Sequence, residues 1–122
     1  MDNWTRDQLI ENGFDVNRTM ERFMNNETLY FKFLKKFIQD ESFAKLSEAI
    51  KAKDCKQAFM YAHTLKGVSA NLGIEVIHQA VIPMVEKLRN DDMSAADKDM
   101  EKLQVNYDNA CKVITKICEC LY

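Results

Sequence analysis

The stretch "AHTLKGVSANLG", residues 62–73, predicts the central helix of this protein and raises a question about its purpose. Its apolar residues recur at helical spacing, and Gly73 stands where helices commonly end in a left-handed residue. A second glycine, Gly67, lies inside the helix, where it costs about 1 kcal/mol relative to alanine. We therefore expect Gly67 and the nearby His63 to serve a function that offsets this loss.

The composition predicts an all-α protein. The 122 residues include only three glycines and one proline, whereas leucine, alanine, lysine, glutamate and methionine are plentiful. This usage favours helices over sheets, and the length suits one domain with its own hydrophobic core. We expect a single domain over residues 1–122.

The charge pattern argues against two classes of function. The 17 basic and 19 acidic residues are mixed along the chain, so no basic block is available to bind nucleic acid. No run of roughly 18 apolar residues predicts a membrane span, and the first residues do not resemble a signal peptide. These observations predict a cytoplasmic protein that binds neither nucleic acid nor membrane.

The first half of the chain contains short and long helical patterns. A short helix is predicted to end at Gly13, and Asp15 can cap a second one. Residues 27–50 then form either one broken helix or two. The predicted core residues of this half are Val16, Met20, Phe23, Met24, Leu29, Tyr30, Phe33, Leu34, Phe37, Ile38, Phe43, Leu46, Ala49 and Ile50.

Three further helices are predicted in the second half. Asp54 caps a helix that stops at Gly73; the next covers residues 74–90, interrupted or bent by Pro83. Ser94 and Asp97 resemble a capping box that opens the last helix. Its core stripe is Met100, Leu103, Tyr107, Ala110, Ile114, Ile117 and Leu121. Long helices joined by short loops predict an antiparallel up-and-down four-helix bundle, with the short N-terminal helices packed on one end.

The four cysteines do not have the spacing of a disulfide framework or a metal site. Three of them, Cys111, Cys118 and Cys120, lie in the last dozen residues, and the fourth is Cys55. A cytosolic chain normally keeps such residues as thiols. Cys111 and Cys118 share the apolar face of the last helix, so we expect them in the core, and Cys120 on the opposite side.

A helical wheel of the central helix separates a core side from an unusual outward side. The predicted core stripe is Ala58, Tyr61, Leu65, Val68 and Leu72, with His63 almost opposite. Around His63 lie Lys56, Phe59, Met60, Lys66, Gly67 and Ala70. Apolar groups on an outward face indicate a docking surface. The alternative is that Phe59 and Met60 pack at the edges of the core.

The neighbours of His63 suit a phosphorylated histidine. A neutral imidazole is a competent phosphoryl acceptor, and Lys66, three residues away, can pair with the resulting anion. Gly67 leaves a notch through which another molecule can approach the ring.

The motif H-x-L-K-G-x-S-x-x-L-G resembles that of histidine-containing phosphotransfer (HPt) domains of bacterial phosphorelays. It is complete here as His63, Leu65, Lys66, Gly67, Ser69, Leu72 and Gly73. "FDVNRTMERFMNNETLYFKFLKKFIQD" is similar to the entry region of the family, and "VEKLRNDD" to the helix after the motif. The family fold is a four-helix bundle.

The resemblance implies roles for individual residues. His63 takes the phosphoryl group, Lys66 helps to neutralise it, and Gly67 makes room for the partner. Ser69 lies on a flank of the wheel and is assigned a structural role. A glutamine that some members place on the next helix has no clear counterpart at Gln79 or Val85.

The second histidine, His78, has no lysine and glycine at the matching offsets. We interpret it as an ordinary surface histidine.

The resemblance also implies function and partners. His63 receives a phosphoryl group from the aspartate of one receiver domain and passes it to another, in a relay that includes response regulators and a hybrid sensor histidine kinase. Mg²⁺ belongs to the receiver, so we expect no cofactor and no metal in this chain. A kinase would need a glycine-rich phosphate loop, and three scattered glycines cannot build one. The alternative is a helical bundle that binds receiver domains without phosphotransfer.

Overall fold

Helices account for most of the chain in the computed structural model, which describes residues 1–121, with no description of the Leu121 side chain. The predicted place of Leu121 in the core therefore lies outside the described residues. Within this range the seven helices are α1 Asn3–Glu11, α2 Val16–Arg22, α3 Glu27–Gln39, α4 Ser42–Lys51, α5 Cys55–Leu72, α6 Glu75–Arg89 and α7 Ala96–Leu121.

The long helices form the predicted bundle. The α5 helix packs between α4 and α6, α6 packs on α7, and α7 returns along α3 and α4. The sequence left open whether residues 27–50 form one helix or two, and the structure shows two. The break lies at Asp40, whose Oδ1 accepts a hydrogen bond from the Ser42 backbone N–H at 2.7 Å and so begins α4.

The N-terminal helices are joined to one end of the bundle through backbone hydrogen bonds. Asp15 N–H donates to the Gly73 carbonyl at 2.7 Å, and Val76 N–H donates to the Gly13 carbonyl at 3.2 Å. Phe14 and Ile74, between these bonds, are both buried. We call residues 13–15 and 73–76 the junction. It confirms the predicted packing of the short helices on one end and fixes the C-terminus of α5.

The predicted core of the first half is wrong in two places. Met24 is 87 % exposed, because α2 ends at Arg22 and Met24 turns away with a φ of +54°. Leu29 and Phe33 lie at the exposed margin of α3, whereas Phe31 is buried. The buried face of α3 differs from the predicted one because α3 contacts both α5 and α7. A helical wheel of α3 alone does not show the positions of these neighbouring helices.

Two details of the second half also differ from the prediction. Ser94 does not cap the last helix; its N–H and hydroxyl donate to Asp92 Oδ1 at 2.9 and 2.6 Å, and α7 begins at Ala96. The short Asp92 side chain competes for the Ser94 backbone and turns it into the loop. Pro83 does not interrupt α6, which continues through it with the proline on the exposed side.

The cysteines are free thiols with the predicted distribution. Cys118 is buried, Cys111 is half-buried, and Cys120 is exposed. Burial raises the pKa of the Cys111 and Cys118 thiols, which keeps both protonated and apolar in character. Among the helices of residues 1–121, each is too short or too polar to cross a bilayer.

Candidate phosphoacceptor site

The site is carried by α5, whose two ends are held as the sequence predicts. At the start, Asp54 Oδ1 accepts a hydrogen bond from Gln57 N–H at 3.1 Å. At the end, Gly73 adopts a φ of +70°, a conformation that costs glycine little. His63 lies nine residues into this 18-residue helix, so it stands on regular backbone, away from either fraying end.

The buried side of α5 is rotated from the predicted one. The wheel predicted Tyr61 and Val68 in the core, but both are half-buried, and Ala62 and Ser69 are fully buried instead. At 100° per residue the stripe is displaced by roughly 40°. The small side chains face the core because α5 is wedged between two helices and needs close approach. The buried residues of the helix are Ala58, Ala62, Leu65, Ser69 and Leu72.

His63 is exposed on the outward side of α5. Among residues 1–121, no group makes a hydrogen bond to either ring nitrogen of His63. The ring lies beside that of Phe59, one turn earlier, with centroids 5.8 Å apart and planes at 40°. A nitrogen lone pair on this imidazole is therefore accessible to an incoming group.

Lys66 lies on the flank of α5 near His63, and it is half-buried. No carboxylate in the described part of the chain forms an ion pair with its ammonium group. Its backbone carbonyl accepts a hydrogen bond from the Ser69 hydroxyl at 3.1 Å. This bond satisfies the buried Ser69, in keeping with the structural role predicted for it, and the Lys66 ammonium remains available for an anion.

Gly67 faces open space. A Cβ built on Gly67 would meet no atom within 4 Å, apart from its own helix backbone and chain neighbours. With the buried stripe rotated, Gly67 is the outermost position of α5 and lies one turn after His63. Packing within residues 1–121 therefore does not require a glycine at this position.

The docking face, defined as Lys56, Phe59, Met60, Gly67 and Ala70, is partly exposed. Lys56 is exposed and Met60 is 50 % exposed, while Phe59 and Ala70 are half-buried. Phe59 therefore agrees with the alternative interpretation, packing at the edge of the core. Met60 projects outward, as a docking residue would.

Comparison with known proteins agrees with this geometry. The family model of the Hpt domain matches residues 33–112, about two thirds of the chain. The chain belongs to the Hpt family. Hpt domains are histidine phosphotransfer modules of phosphorelays and are not kinases. The match runs from α3 into α7 and includes His63 and the whole of α5. No curated protein and no solved structure matches the sequence.

A cation that was not predicted from the sequence adjoins the site of this Hpt domain. Arg89, in the last turn of α6, places its Cζ 5.1 Å from the centroid of the Phe59 ring. Its Nε lies 3.5 Å from Glu86 Oε1. Phe59 and Arg89 are thirty positions apart, and only the antiparallel pairing of α5 with α6 brings them together. No local spacing in the sequence indicates this contact.

Three other residues of α6, Gln79, Val85 and His78, make no hydrogen bond to the His63 ring in residues 1–121. Val85 is fully buried and has no polar side-chain atom, and Gln79 Nε2 donates to Glu75 Oε2 at 3.4 Å, so neither side chain supplies a hydrogen bond to the His63 ring. His78 is half-buried, not on the surface as predicted, since α6 packs against its neighbours. His78 Nδ1 has no hydrogen-bond partner in residues 1–121 and lies 3.9 Å from Glu75 Oε2.

The acidic residues, histidines and cysteines of residues 1–121 include no group of three or more arranged to hold a metal ion. Two lysines, Lys56 and Lys66, place positive charge on the side of α5 that carries His63, whereas the charge of Arg89 is paired with Glu86. Such surroundings attract an anion and an acidic partner surface.

Proposed function

We propose that this Hpt domain accepts a phosphoryl group on His63 from the aspartate of one receiver domain and passes it to the aspartate of another. The observation that carries the proposal is the exposed His63, whose ring makes no hydrogen bond within residues 1–121, beside a Lys66 that forms no ion pair there and an open Gly67. Each feature serves an incoming phosphoryl group, and a Cβ at Gly67 would meet no side chain of the described residues.

The transfer step conserves atoms and electrons without help from another residue of this chain. The lone pair of one ring nitrogen forms a P–N bond, the P–O bond of the aspartyl phosphate breaks, and the carboxylate leaves with its electron pair. The proton on the other ring nitrogen stays in place. Transfer to the next receiver is the reverse reaction. Such steps depend mainly on in-line positioning and charge neutralisation.

The components of the site divide this work. The Lys66 ammonium opposes the charge of the phosphohistidine, and Gly67 admits the receiver backbone close to the ring. The docking face supplies Met60 and the edge of Phe59 as apolar contacts, with Lys56 and Ala70 at its margins. Mg²⁺ is supplied by the acidic pocket of the receiver, so the chain needs no cofactor of its own. The proposed setting is the cytoplasm, between a hybrid sensor histidine kinase and its response regulators.

The test uses receiver domains from the same genome, each charged with radiolabelled acetyl phosphate and mixed with this chain. We expect label on the wild-type chain and on the His78→Gln variant, and none on His63→Gln. His78 is the matched control because it is the other histidine and is half-buried on α6. Label on His63→Gln would show that another residue is the acceptor.

The same experiment separates the proposal from the alternative of a receiver-binding bundle without phosphotransfer. In that case the wild-type chain would bind receiver domains and take no label. Binding to each receiver domain of the same panel is measured by calorimetry. A chain that binds a receiver but takes no label supports the alternative, whereas a chain that binds none shows that its partner is absent from the panel.

A further inference from the structure

We propose that Phe59 and Arg89 act as a positioning pair that holds the His63 imidazole in one orientation for transfer. The inference rests on the proposed function of His63 and adds a role for two residues that neither accept nor touch the phosphoryl group. It is carried by two ring contacts that link α6 to the site: Arg89 to Phe59, and Phe59 to His63.

The first contact limits the motion of the histidine. The Phe59 and His63 centroids are 5.8 Å apart, inside the range in which aromatic rings attract each other in tilted arrangements. The two residues are four apart on α5 and so share a face. The His63 ring makes no hydrogen bond within the described chain, so its contact with the Phe59 ring is the specific interaction that favours one ring orientation.

The second contact restrains Phe59 from another helix. The Arg89 Cζ lies 5.1 Å from the Phe59 centroid, within the distance of an effective cation–π interaction. Glu86, one turn earlier on α6, pairs with Arg89 Nε at 3.5 Å and favours this position of the guanidinium group. The Phe59 ring is thus tied to α6 as well as to its own helix.

A restrained imidazole is useful because the reaction is sensitive to geometry. The nitrogen lone pair must point along the P–O bond that breaks, and small errors in alignment lower the rate without weakening binding. Holding the ring before the partner arrives removes part of the ordering cost at the transition state. A positioning pair should therefore change the rate constant at saturation more than the partner concentration needed for half-saturation.

The alternative is that Arg89 acts by its charge alone, on the phosphoryl group or on the partner. A double-mutant cycle separates the two roles, because residues that act through one another have non-additive effects. The variants are Arg89→Gln, Phe59→Leu and the double variant. Arg18→Gln is the matched control: it also removes one positive charge, from an exposed side chain on α2.

Single-turnover transfer is measured with the charged receiver domain that reacts fastest with the wild-type chain. We expect Arg89→Gln to lower the saturating rate by about two- to fivefold, the range of an exposed cation–π contact, and Arg18→Gln to leave it unchanged. Phe59→Leu should lower it at least as much, Phe59→Tyr should retain more of it, and Arg89→Gln should add nothing in the Phe59→Leu background. Independent, multiplying effects would overturn the proposal in favour of a charge effect.

A second measurement needs no partner and separates this inference from the proposed function. Three-bond NMR couplings across the Cα–Cβ bond of His63 report whether the side chain keeps one rotamer. We expect one rotamer in the wild-type chain and averaging in Arg89→Gln. Averaged couplings in the wild-type chain would overturn the positioning role even if His63 accepts the phosphoryl group. If the wild-type chain keeps a single His63 rotamer that is lost in Arg89→Gln but takes no label, Phe59 and Arg89 hold the side chain and the proposed function is wrong.

Discussion

The glycines at the junction and the glycine beside His63 occupy opposite kinds of environment. At Gly73, φ is +70°, and a Cβ would lie 2.8 Å from the Asp15 carbonyl and overlap the Thr19 hydroxyl. At Gly13, φ is +85°, and a Cβ would overlap the Val76 side chain. Gly67 has helical backbone and open space in front of it. The same residue type is required by the fold in one region and is unexplained by the fold in the other.

This difference separates glycines that the backbone geometry requires from a glycine that packing within the described residues does not explain. A junction glycine permits backbone geometry that other residues adopt only with strain. Gly67 destabilises α5 relative to alanine and receives no packing in return. The receiver contact proposed above accounts for a glycine that costs helix stability and meets no side chain of residues 1–121. The comparison therefore predicts opposite signs of stability change in the two regions.

The largest expected effect belongs to the junction. Gly73→Ala should lower the free energy of unfolding by about 3 kcal/mol, because it combines a left-handed alanine with an overlap against backbone and Thr19. Urea denaturation measures the loss. The folded fraction should still take label on His63, since the site lies more than two turns away. An unchanged free energy of unfolding would show that the junction adjusts to the added Cβ. It would contradict the claim that the fold requires a glycine at position 73.

The next effect belongs to the open glycine. Gly67→Gln should raise the free energy of unfolding by about 0.5 kcal/mol, from helix propensity alone. Transfer should fall about tenfold or more, because a long side chain obstructs the approach of the receiver to His63. Ala44→Gln, which places the same side chain at an exposed position of α4, is the control and should leave transfer intact. A Gly67→Gln variant that melts earlier would mean that Gly67 serves internal packing.

A smaller effect is expected from the cation beside that glycine. Lys66→Ala should slow transfer about fivefold, since one partly exposed charge contributes about 1 kcal/mol to stabilising the phosphoryl group. Single-turnover labelling measures the rate, with Lys102→Ala on the exposed side of α7 as the control. Complete loss of transfer in a folded Lys66→Ala variant would show a role beyond charge neutralisation.

The smallest expected effect concerns the C-terminal end of α5, beside the junction. The Arg22 guanidinium donates to the carbonyls of Ala70 at 2.8 Å and Asn71 at 3.2 Å, so it caps the negative end of the helix. Arg22→Gln should lower the free energy of unfolding by about 0.5 kcal/mol and leave transfer unchanged. Arg18→Gln on the same helix should change neither quantity. A transfer defect in Arg22→Gln would extend the functional region toward the junction.

Much of the fold follows from local rules that the sequence displays. The caps at Asp15 and Asp54 and the helix stops at Gly13 and Gly73 were predicted because each depends on residues within one turn. The apolar stripe of α7 was predicted over most of its length for the same reason. The capping box predicted at Ser94 does not form, because the Ser94 N–H and hydroxyl bind Asp92 Oδ1 instead. Placement of the candidate site residues could be predicted in the same way, through their spacing on one helix.

The sequence by itself determined the helical class, the order of the helices, the family resemblance through its motif, and the common outward side of His63 and Gly67. Tertiary structure alone decided the rotation of α5, which buries Ala62 and Ser69 in place of Tyr61 and Val68. It also decided the contact of Arg89 with Phe59 and the open space at Gly67. The physical reason is that the spacing of residues along the sequence shows which side chains share one face of a helix. Which face is buried, and which residues of different helices touch, depends on the positions of the neighbouring helices.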